Sequence, residues 1–297
     1  MIDVSLVVPV YNERESLTVL HAEIAAIAAK AGLAVEVLFI DDGSSDGSWE
    51  VIRELAAADL RVRGVRFRKN FGKAAALQAG FRDARGQRIV TLDADLQDDP
   101  AEVPNFLAAL AADRDIVVGW KKVRRDPWHK VFPSHVFNGM VSALTGVKLH
   151  DHNCGMKAFR AEVVRDLHLY GEMHRFIPVL AAAKGYRVGE LVIHHRPRQF
   201  GRSKYGIRRF LRGFLDLLTV TFLTTYGRRP MHLFGGCVLL LILMAVVGLF
   251  WWPGVSPLTY FAIILAAMLF VQGLLAEMAA AVRTDDEFSI AERTPTV

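Results

Sequence analysis

Over residues 1–120, short apolar runs rich in β-branched side chains alternate with stretches of helical periodicity. The predicted strands are Val4–Val10, Val35–Ile40, Val62–Phe67, Arg88–Leu92 and Asp115–Val118. The predicted helices are Glu15–Ala31, Gly47–Ala58 and Lys73–Ala84. This alternation predicts an α/β fold in which a mostly parallel sheet is covered on both faces. Ligands of such sheets bind beyond the carboxyl ends of the strands.

The pattern is less regular after residue 120 and then becomes strongly apolar. A helix is predicted over Trp128–Leu144 and a strand over Arg187–His194. Residues 207–227 are apolar but carry Asp216, which would be costly at the centre of a bilayer, so we expect one or two helices along a membrane surface. Met231–Trp252 and Leu258–Val282 are each long enough to cross a membrane as helices.

Composition places the chain between soluble enzymes and membrane proteins. Of its 297 residues, 52% are hydrophobic and 23% are charged, and the mean hydropathy is +0.25. The average conceals an uneven distribution, because no Asp, Glu, Lys or Arg occurs from Met231 to Ala276. Composition excludes collagen, a disordered chain and a disulfide scaffold, since Cys154 and Cys237 are the only cysteines. It indicates one large α/β domain followed by a short membrane module.

Basic residues are concentrated just before the apolar runs. The net charge is +5, but residues 231–297 hold two basic and five acidic groups, which leaves +8 on residues 1–230. Nine Lys or Arg and a single acid lie between Arg196 and Arg229. Such a segment is typical of contact with anionic headgroups or a phosphate-bearing ligand, although the positive-inside rule alone also accounts for it. Because the segment leads into lipid-compatible sequence, no nucleic-acid partner is predicted.

The charges also predict the orientation of the two apolar runs. Arg228 and Arg229 precede the first run, Arg283 follows the second, and the connecting tip has no basic residue. Under the positive-inside rule, both termini and the main domain are therefore expected on the cytoplasmic side of the inner membrane.

Two carboxylates follow the strand predicted over Arg88–Leu92. Asp93 and Asp95 are two residues apart, and Gln97 adds a carbonyl oxygen. Oxygen ligands of this kind suit Mg²⁺, which keeps waters and substrate phosphates in its shell. Taken alone, the Asp-x-Asp pattern is equally typical of solvated turn residues.

Polar clusters also follow the other predicted strands. Pro9–Glu13 comes after the first strand and Asp41–Asp46 after the second. Asp46 is expected to cap the next helix, whereas Asp41 and Asp42 are suited to bonding a ribose or a base edge. The third strand is followed by Lys69, Asn70, Gly72 and Lys73, at the place where ligand phosphates would lie. Together the clusters predict a nucleotide-binding pocket.

These motifs resemble a known family. Three segments are together similar to family 2 glycosyltransferases, which have the GT-A fold. They are Val8-Pro9-Val10-Tyr11-Asn12-Glu13, Asp41–Asp46 and Asp93-Ala94-Asp95-Leu96-Gln97. His152–Arg160, Glu172–Pro178 and Arg196–Gly206 resemble the polyprenyl-phosphate glycosyltransferases. That group includes the dolichol-phosphate mannose synthases and the bacterial undecaprenyl-phosphate glucosyltransferases. The resemblance covers residues 3–228.

The resemblance implies a division of the chain and a role for individual residues. The segments are a GT-A domain over 1–206, juxtamembrane amphipathic helices over 207–230, two transmembrane helices at 231–252 and 258–282, and a disordered cytoplasmic tail over 283–297. The nucleoside would be bound by Pro9, Tyr11, Glu13 and Asp41, with Asp42 and Lys73 in the same pocket. Mg²⁺ or Mn²⁺ would be held on the donor diphosphate by Asp93, Asp95 and Gln97. The sugar would lie near Glu172, His174 and Arg175. The donor phosphates would be bound by Arg202 and Lys204. The lipid phosphate would be bound by Arg124 and Ser134. The catalytic set is expected to be Asp93, Asp95 and Arg202.

The implied activity is inverting transfer of a hexose from a UDP- or GDP-linked donor to the phosphate of a polyprenyl phosphate, such as undecaprenyl or dolichyl phosphate. A polysaccharide or glycolipid synthase of the same superfamily is the alternative, although the Gln-x-x-Arg-Trp motif common in those enzymes is absent from the sequence. A non-catalytic membrane scaffold is a remote third interpretation. Gly235, Gly236 and Gly248 would permit close helix packing in a homo-oligomer.

Overall fold

Seven strands form one sheet in the computed structural model of the chain, which describes residues 2–122, 128–194, 196, 207–227, 229–251 and 257–281. The strands are β1 (Val4–Val10), β2 (Val35–Asp41), β3 (Val62–Arg66), β4 (Arg88–Thr91), β5 (Ile116–Trp120), β6 (Lys157–Arg160) and β7 (Val188–Val192). Their order is β3-β2-β1-β4-β6-β5-β7. The pairs β1–β2, β2–β3, β1–β4 and β5–β7 are parallel, whereas β6 is antiparallel to β4 and β5. The predicted α/β fold with a mostly parallel sheet is therefore confirmed.

Helices connect the strands. They are α1 (Arg14–Ala31), α2 (Ser48–Ala58), α3 (Lys73–Asp83), α4 (Val103–Ala111), α5 (Trp128–Thr145), α6 (Ala161–Asp166) and α7 (Ile177–Ala183), with 3₁₀ turns at Pro100–Glu102 and Met173–Arg175. The strands and helices predicted within residues 1–195 are all present, with ends shifted by a few residues. The sequence did not predict β6, α4, α6 or α7, because these elements span too few residues to show a clear period.

The central strands are apolar because both faces of the sheet are covered. All seven residues of β2 are buried, and Pro9 is the one partly exposed residue of β1. Glu36 is the charged residue near the amino end of β2. Its carboxylate accepts hydrogen bonds from Ser5 Oγ (2.5 Å), Arg85 N (2.6 Å) and Arg63 Nη1 (3.2 Å). Since Glu36 lies near the amino ends of the strands, it stabilises the sheet at the edge opposite the carboxyl ends.

Three longer helices follow: α8 (Ile207–Thr225), α9 (Pro230–Trp251) and α10 (Pro257–Ala281). The described residues as far as Leu217 form one compact unit, and those from Leu218 onward form a second. Residues 207–227, predicted as one or two helices, form the single helix α8 through Thr225. In the second unit, α9 and α10 each contain an apolar segment, of 20 and 22 residues, that is long enough to cross a membrane.

The two apolar helices pack against each other as a hairpin. Glu277 of α10 accepts a hydrogen bond from the backbone N–H of Met231 at the start of α9 (3.0 Å). A methyl group at Gly273 would come within 2.8 Å of Met231 Sδ and of Phe234 Cβ. The acid in this apolar region thus satisfies one of the unpaired N–H groups that every helix has at its amino end.

Candidate active site

A cleft of about 280 Å³ lies at the carboxyl ends of β1, β2 and β4. It is lined by Pro9, Val10, Tyr11, Glu13, Asp42, Asn70, Gly72, Lys73, Ala76, Asp93, Ala94 and Asp95. Nine of these residues, all except Val10, Ala76 and Ala94, were predicted from the sequence to bind a nucleotide, its phosphates or a metal ion. The loops that were far apart in the sequence are therefore brought to one site, at the edge of the sheet where parallel strands place ligands.

The loop after β1 and the loop after β2 are tied together by hydrogen bonds. Asn12 N donates to Ser44 Oγ (2.9 Å), and Ser45 N donates to Asn12 Oδ1 (2.9 Å). Glu13 N donates to Ser48 Oγ (3.0 Å). Because these bonds run in both directions between the loops, Tyr11 and Glu13 are held in fixed positions on the cleft wall.

Asp42 holds the segment that leads into α3. Its carboxylate accepts hydrogen bonds from Phe71 N (2.6 Å) and Gly72 N (2.9 Å). Burial raises the pKa of Asp42, and the two amide hydrogen bonds offset only part of that effect. Asp42 therefore shapes the cleft as well as lining it.

Asp41 is fully buried behind the cleft and does not line it. Its Oδ1 accepts from Ser44 N (3.0 Å), and its Oδ2 lies 3.4 Å from Arg66 Nε. The predicted contact between this side chain and a nucleoside stays a prediction. In the structure, Asp41 stabilises the loop after β2.

Gly43 allows the loops after β2 and β3 to meet. Its φ is +73°, and a Cβ there would lie 2.6 Å from the backbone carbonyl carbon of Lys69. Only glycine adopts this conformation and this close approach without strain.

Asp93 forms an ion pair with Lys73 within the cleft. Lys73 Nζ lies 2.5 Å from Asp93 Oδ1, and both side chains are about one third exposed. Burial alone would favour the protonated acid, but the positive charges of Lys73, Lys121 and Lys157 outweigh it and lower the pKa of Asp93 to about 2. The carboxylate is therefore ionised at neutral pH.

A charged cluster, formed by the buried Asp98 and Lys157 and the partly exposed Lys121, lies behind Asp93. Lys121 Nζ is 3.0 Å from Oδ1 of the fully buried Asp98, and the ammonium of Lys157 donates to the backbone oxygen of Cys154. Burial would lower the pKa of Lys121, but the carboxylate of Asp98 outweighs burial and raises it. A Cβ at Gly155 would lie 2.4 Å from Asp93 Oδ2 and 2.8 Å from Asp98 Oδ2, so the absence of a side chain lets both carboxylates approach this backbone.

Sequence reasoning did not assign a role to this cluster. Asp98 follows the Asp-x-Asp motif. Lys121 follows β5 and Lys157 begins β6, and these strands reach the site only through the order of strands in the sheet. In the sequence, one lysine directly follows β5 and another begins β6. These two positions indicate a shared site only when the pairing of β5 with β6 is known.

The loop around residues 150–153 packs against α5 and β7. His152 is fully buried, and its Nε2 lies 3.0 Å from Ser142 Oγ. Burial, together with the charge of Lys157, lowers the pKa of His152 to about 4. His150 stacks on Trp120 with ring centroids 3.9 Å apart and binds Glu190 through Nδ1 (2.7 Å).

Other predicted site residues lie outside the residues that line the cleft. Arg175 binds Glu172 (Nη2 to Oε2, 2.7 Å), and His174 is buried in the same 3₁₀ turn. Ser134 is partly exposed on α5, and Gln97 donates its backbone N–H to Asp95 Oδ1 (3.1 Å). Arg124, Arg202 and Lys204 lie outside the described residues.

The predicted metal site contains two carboxylates. Within the part of the chain that the structure describes, no group of three His, Cys, Asp or Glu side chains is arranged to hold a metal ion. Asp93 and Asp95 nevertheless both line the cleft. Their chemistry fits a Mg²⁺-type ion, which in phosphate-transferring sites is held by one or two carboxylates plus substrate phosphates.

Arg196 connects the predicted metal-binding loop to the rest of the domain. Its backbone N–H donates to Gln97 O (3.1 Å), and its guanidinium binds Asp99 (Nη2 to Oδ1, 2.7 Å) and Glu23 (Nη1 to Oε2, 2.8 Å). One of the nine basic groups before the apolar helices is thus used within the fold.

Comparisons with known proteins agree with this geometry. Residues 5–168 match the family described as Glycosyl transferase family 2. The chain is 37% identical to the dodecaprenyl-phosphate galacturonate synthase of Rhizobium johnstonii, covering 97% of this chain and 90% of that protein. It is 36% identical to the undecaprenyl-phosphate 4-deoxy-4-formamido-L-arabinose transferase of Aeromonas hydrophila, covering 95% and 90% of the two chains.

Solved structures show the same fold at low sequence identity. Glucosyl-3-phosphoglycerate synthase from Mycobacterium tuberculosis, in complex with Mn²⁺, UDP and phosphoglyceric acid, superposes with a TM-score of 0.59 at 17% identity, over 75% of this chain and 78% of that one. Mannosyl-3-phosphoglycerate synthase from Rubrobacter xylanophilus gives a TM-score of 0.60 at 16% identity, over 74% and 73%.

Proposed function

The chain belongs to glycosyl transferase family 2, and we propose that it transfers a sugar from a nucleotide-sugar donor to the phosphate of a membrane polyprenyl phosphate. The membership confirms the family predicted from the motifs. The observation that carries the proposal is the cleft, where Tyr11, Glu13, Lys73, Asp93 and Asp95 converge. The two relatives named above, which this chain matches over nearly its whole length, carry the names of polyprenyl-phosphate enzymes.

The donor would lie along the cleft with its nucleoside at the β1 and β2 loops. Pro9, Tyr11 and Glu13 form that wall. Its diphosphate would lie toward Lys73, the first residue of α3, where a helix amino end favours negative charge. Asp42 would fix the position of Lys73, because its carboxylate accepts hydrogen bonds from the backbone of Phe71 and Gly72 immediately before the helix.

Asp93 and Asp95 would hold a Mg²⁺ or Mn²⁺ ion on the donor diphosphate. When bound, such an ion neutralises the charge that develops on the departing nucleoside diphosphate. The chain's own contribution is to keep Asp93 ionised, since neighbouring ammonium groups lower its pKa to about 2. Lys73 supplies a further positive charge on the same side of the cleft.

The acceptor needs little activation. The second pKa of a phosphate monoester is about 6, so the lipid phosphate arrives largely ionised and attacks without a strong general base. A single in-line displacement inverts the configuration of the anomeric carbon. The difficulty is the approach of two polyanions, which the basic groups between Arg196 and Arg229 would reduce. Arg124, Ser134, Arg202 and Lys204 remain the proposed phosphate contacts on the acceptor and donor sides.

The apolar helices would anchor the chain in the membrane that contains its lipid substrate. We infer that α9 and α10 cross the inner membrane as a hairpin, with both chain termini on the cytoplasmic side where nucleotide sugars are made. Their length and apolar composition support this, as do the arginines that flank the hairpin in the sequence.

A donor panel tests the proposal. The full chain in detergent is incubated with undecaprenyl phosphate and with labelled UDP-galacturonate, UDP-4-deoxy-4-formamido-L-arabinose, UDP-glucose or GDP-mannose, with and without EDTA. We expect label from one of these donors to enter the organic phase, and EDTA to abolish the transfer. Label that stays water-soluble with every donor, while Asp93→Asn protein behaves identically to the unaltered chain, would contradict the proposal.

A further inference from the structure

Lys73 is placed where a lysine does not stabilise its own helix. It is the first residue of α3, the first turn of that helix contains no acidic residue, and the preceding Gly72 makes no side-chain cap. A positive charge at a helix amino end is unfavourable, because it repels the positive end of the helix dipole. The lysine is held there by one strong contact, the 2.5 Å ion pair with Asp93 Oδ1.

That contact occupies an oxygen that a metal ion would need. Asp93 Oδ2 faces the backbone at Gly155, where a Cβ would be only 2.4 Å away. Oδ1 is the oxygen bound to Lys73. An ammonium and a divalent cation bound to the same oxygen repel each other, so the two compete.

The surroundings disfavour a metal ion arriving by itself. Asp98, the next carboxylate behind Asp93, is already paired with Lys121, and Lys157 is buried beside them. The ammonium groups of Lys73, Lys121 and Lys157 already balance the carboxylates of Asp93, Asp95 and Asp98, so a divalent cation entering alone would bring positive charge without a counter-charge. A nucleoside diphosphate entering with the cation would bring the compensating negative charge and a new partner for Lys73.

We propose that Lys73 competes with the divalent cation for Asp93, so that the site retains the cation only when a diphosphate accompanies it and binds Lys73 in turn. The proposal rests on the proposed function in one respect, namely that the donor carries a diphosphate. Under this proposal, Lys73 makes retention of the cation depend on the diphosphate. Phosphate binding alone does not require such a role.

Mn²⁺ binding to the full chain in detergent tests the proposal without any transfer assay. Free Mn²⁺ is measured by electron paramagnetic resonance, with and without UDP. For the unaltered chain we expect weak Mn²⁺ binding that UDP strengthens. Lys73→Met keeps the length of the side chain but removes its charge, so we expect at least tenfold tighter Mn²⁺ binding without UDP, about 1.4 kcal/mol. UDP should then strengthen Mn²⁺ binding less than it does in the unaltered chain.

Three further variants make the outcome specific. Arg82→Met removes an equal charge from the exposed far end of α3 and should leave Mn²⁺ binding unchanged. Lys73→Arg keeps the charge and should keep binding weak. Asp93→Asn added to Lys73→Met should remove the gain.

The proposal fails if Lys73→Met binds Mn²⁺ no more tightly than the unaltered chain, or if the gain survives loss of Asp93. Circular dichroism verifies that each variant is folded. A chain that transfers sugar but shows no effect of Lys73 on Mn²⁺ binding would retain the proposed function and lose this inference.

Discussion

The two sides of the cleft are held together by different forces. On the nucleoside side, the loops after β1 and β2 are joined mainly by hydrogen bonds from backbone amides, with uncharged acceptors on Asn12 and Ser44 and a carboxylate acceptor on Asp46. On the metal side, the contacts are ion pairs, Lys73 with Asp93 and Lys121 with Asp98. One side is a fixed wall, and the other is a set of charges that can exchange partners.

This difference matches what each side would bind. A nucleoside is recognised by shape and by a few hydrogen bonds, which a rigid wall provides. A metal diphosphate brings several charges, and the groups that receive it must change partners when it arrives. Buried charges interact strongly in a low dielectric medium, but each one left unpaired is costly. The metal side should therefore be the more sensitive to mutation, pH and salt.

The largest effect should come from breaking the buried ion pair on the metal side. Lys121→Met leaves the fully buried Asp98 carboxylate without its counter-charge. We expect the free energy of unfolding to fall by about 3–5 kcal/mol, measured by denaturant titration in detergent.

A double variant separates this explanation from a packing effect. Asp98→Leu added to Lys121→Met removes the unpaired charge and should recover most of the lost stability. If the double variant is no more stable than Lys121→Met alone, the loss arises from side-chain packing, and the two sides of the cleft differ less in their electrostatics.

The next largest effect concerns pH. His152, beside Lys157 on the metal side, is kept neutral by burial, which lowers its pKa to about 4 from an unfolded value of about 6.5. Between these values the unfolded chain binds a proton that the folded chain does not. The stabilisation is therefore complete above pH 6.5 and is lost as the pH falls toward 4, by an amount on the order of 3 kcal/mol.

Replacing the imidazole should flatten this dependence. The free energy of unfolding of His152→Gln should vary less between pH 6.5 and 4 than that of the unaltered chain. His168→Gln, at an exposed position, is the matched control and should keep the original slope. An unchanged slope in His152→Gln would assign the pH dependence to other groups.

Much of the fold could be predicted because its elements show clear periods. The parallel strands and helices of residues 1–120 have buried apolar runs or helical faces, and each polar cluster follows a strand end. The nucleoside side belongs to this predictable part, since Tyr11, Glu13 and Asp42 follow β1 and β2 directly along the chain.

The metal side was predicted only in part. Asp93 and Asp95 could be identified from their spacing, but their partners could not. Lys121 follows β5 and Lys157 begins β6, and they reach Asp93 because β6 is inserted antiparallel between β4 and β5. No local pattern encodes that insertion, because β6 has four residues and its pairing is long-range. Asp41 is fully buried, and sequence alone does not distinguish a carboxylate that faces the cleft from one that turns inward, so its contact with a nucleoside stays a prediction.

Two glycines allow the sides to be compared directly by the same substitution. A Cβ at Gly43 meets the backbone of Lys69 at 2.6 Å, and φ there is +73°. Gly43→Ala should therefore lower the free energy of unfolding by about 2 kcal/mol. A Cβ at Gly155 instead meets the Asp93 carboxylate at 2.4 Å, and a side chain yields more easily than backbone. Gly155→Ala should displace that carboxylate and lower the rate of sugar transfer, by about tenfold or more, with a smaller loss of stability.

Thermal unfolding and initial transfer rates, measured on both variants, provide the test. Equal losses of stability and of activity in Gly43→Ala and Gly155→Ala would mean that the two sides are equally rigid.

The smallest effect is expected on the nucleoside side. Ser44→Ala removes the hydroxyl that accepts from Asn12 N and leaves an amide that water can reach, so the loss should be about 1 kcal/mol, typical of one uncharged hydrogen bond. Because no ionised group takes part, the loss should be the same at low and high salt, whereas the effect of Lys121→Met should change more with salt. Denaturant titrations of both variants at two ionic strengths measure the difference. A salt-dependent loss in Ser44→Ala would show that charge contributes to the nucleoside side as well.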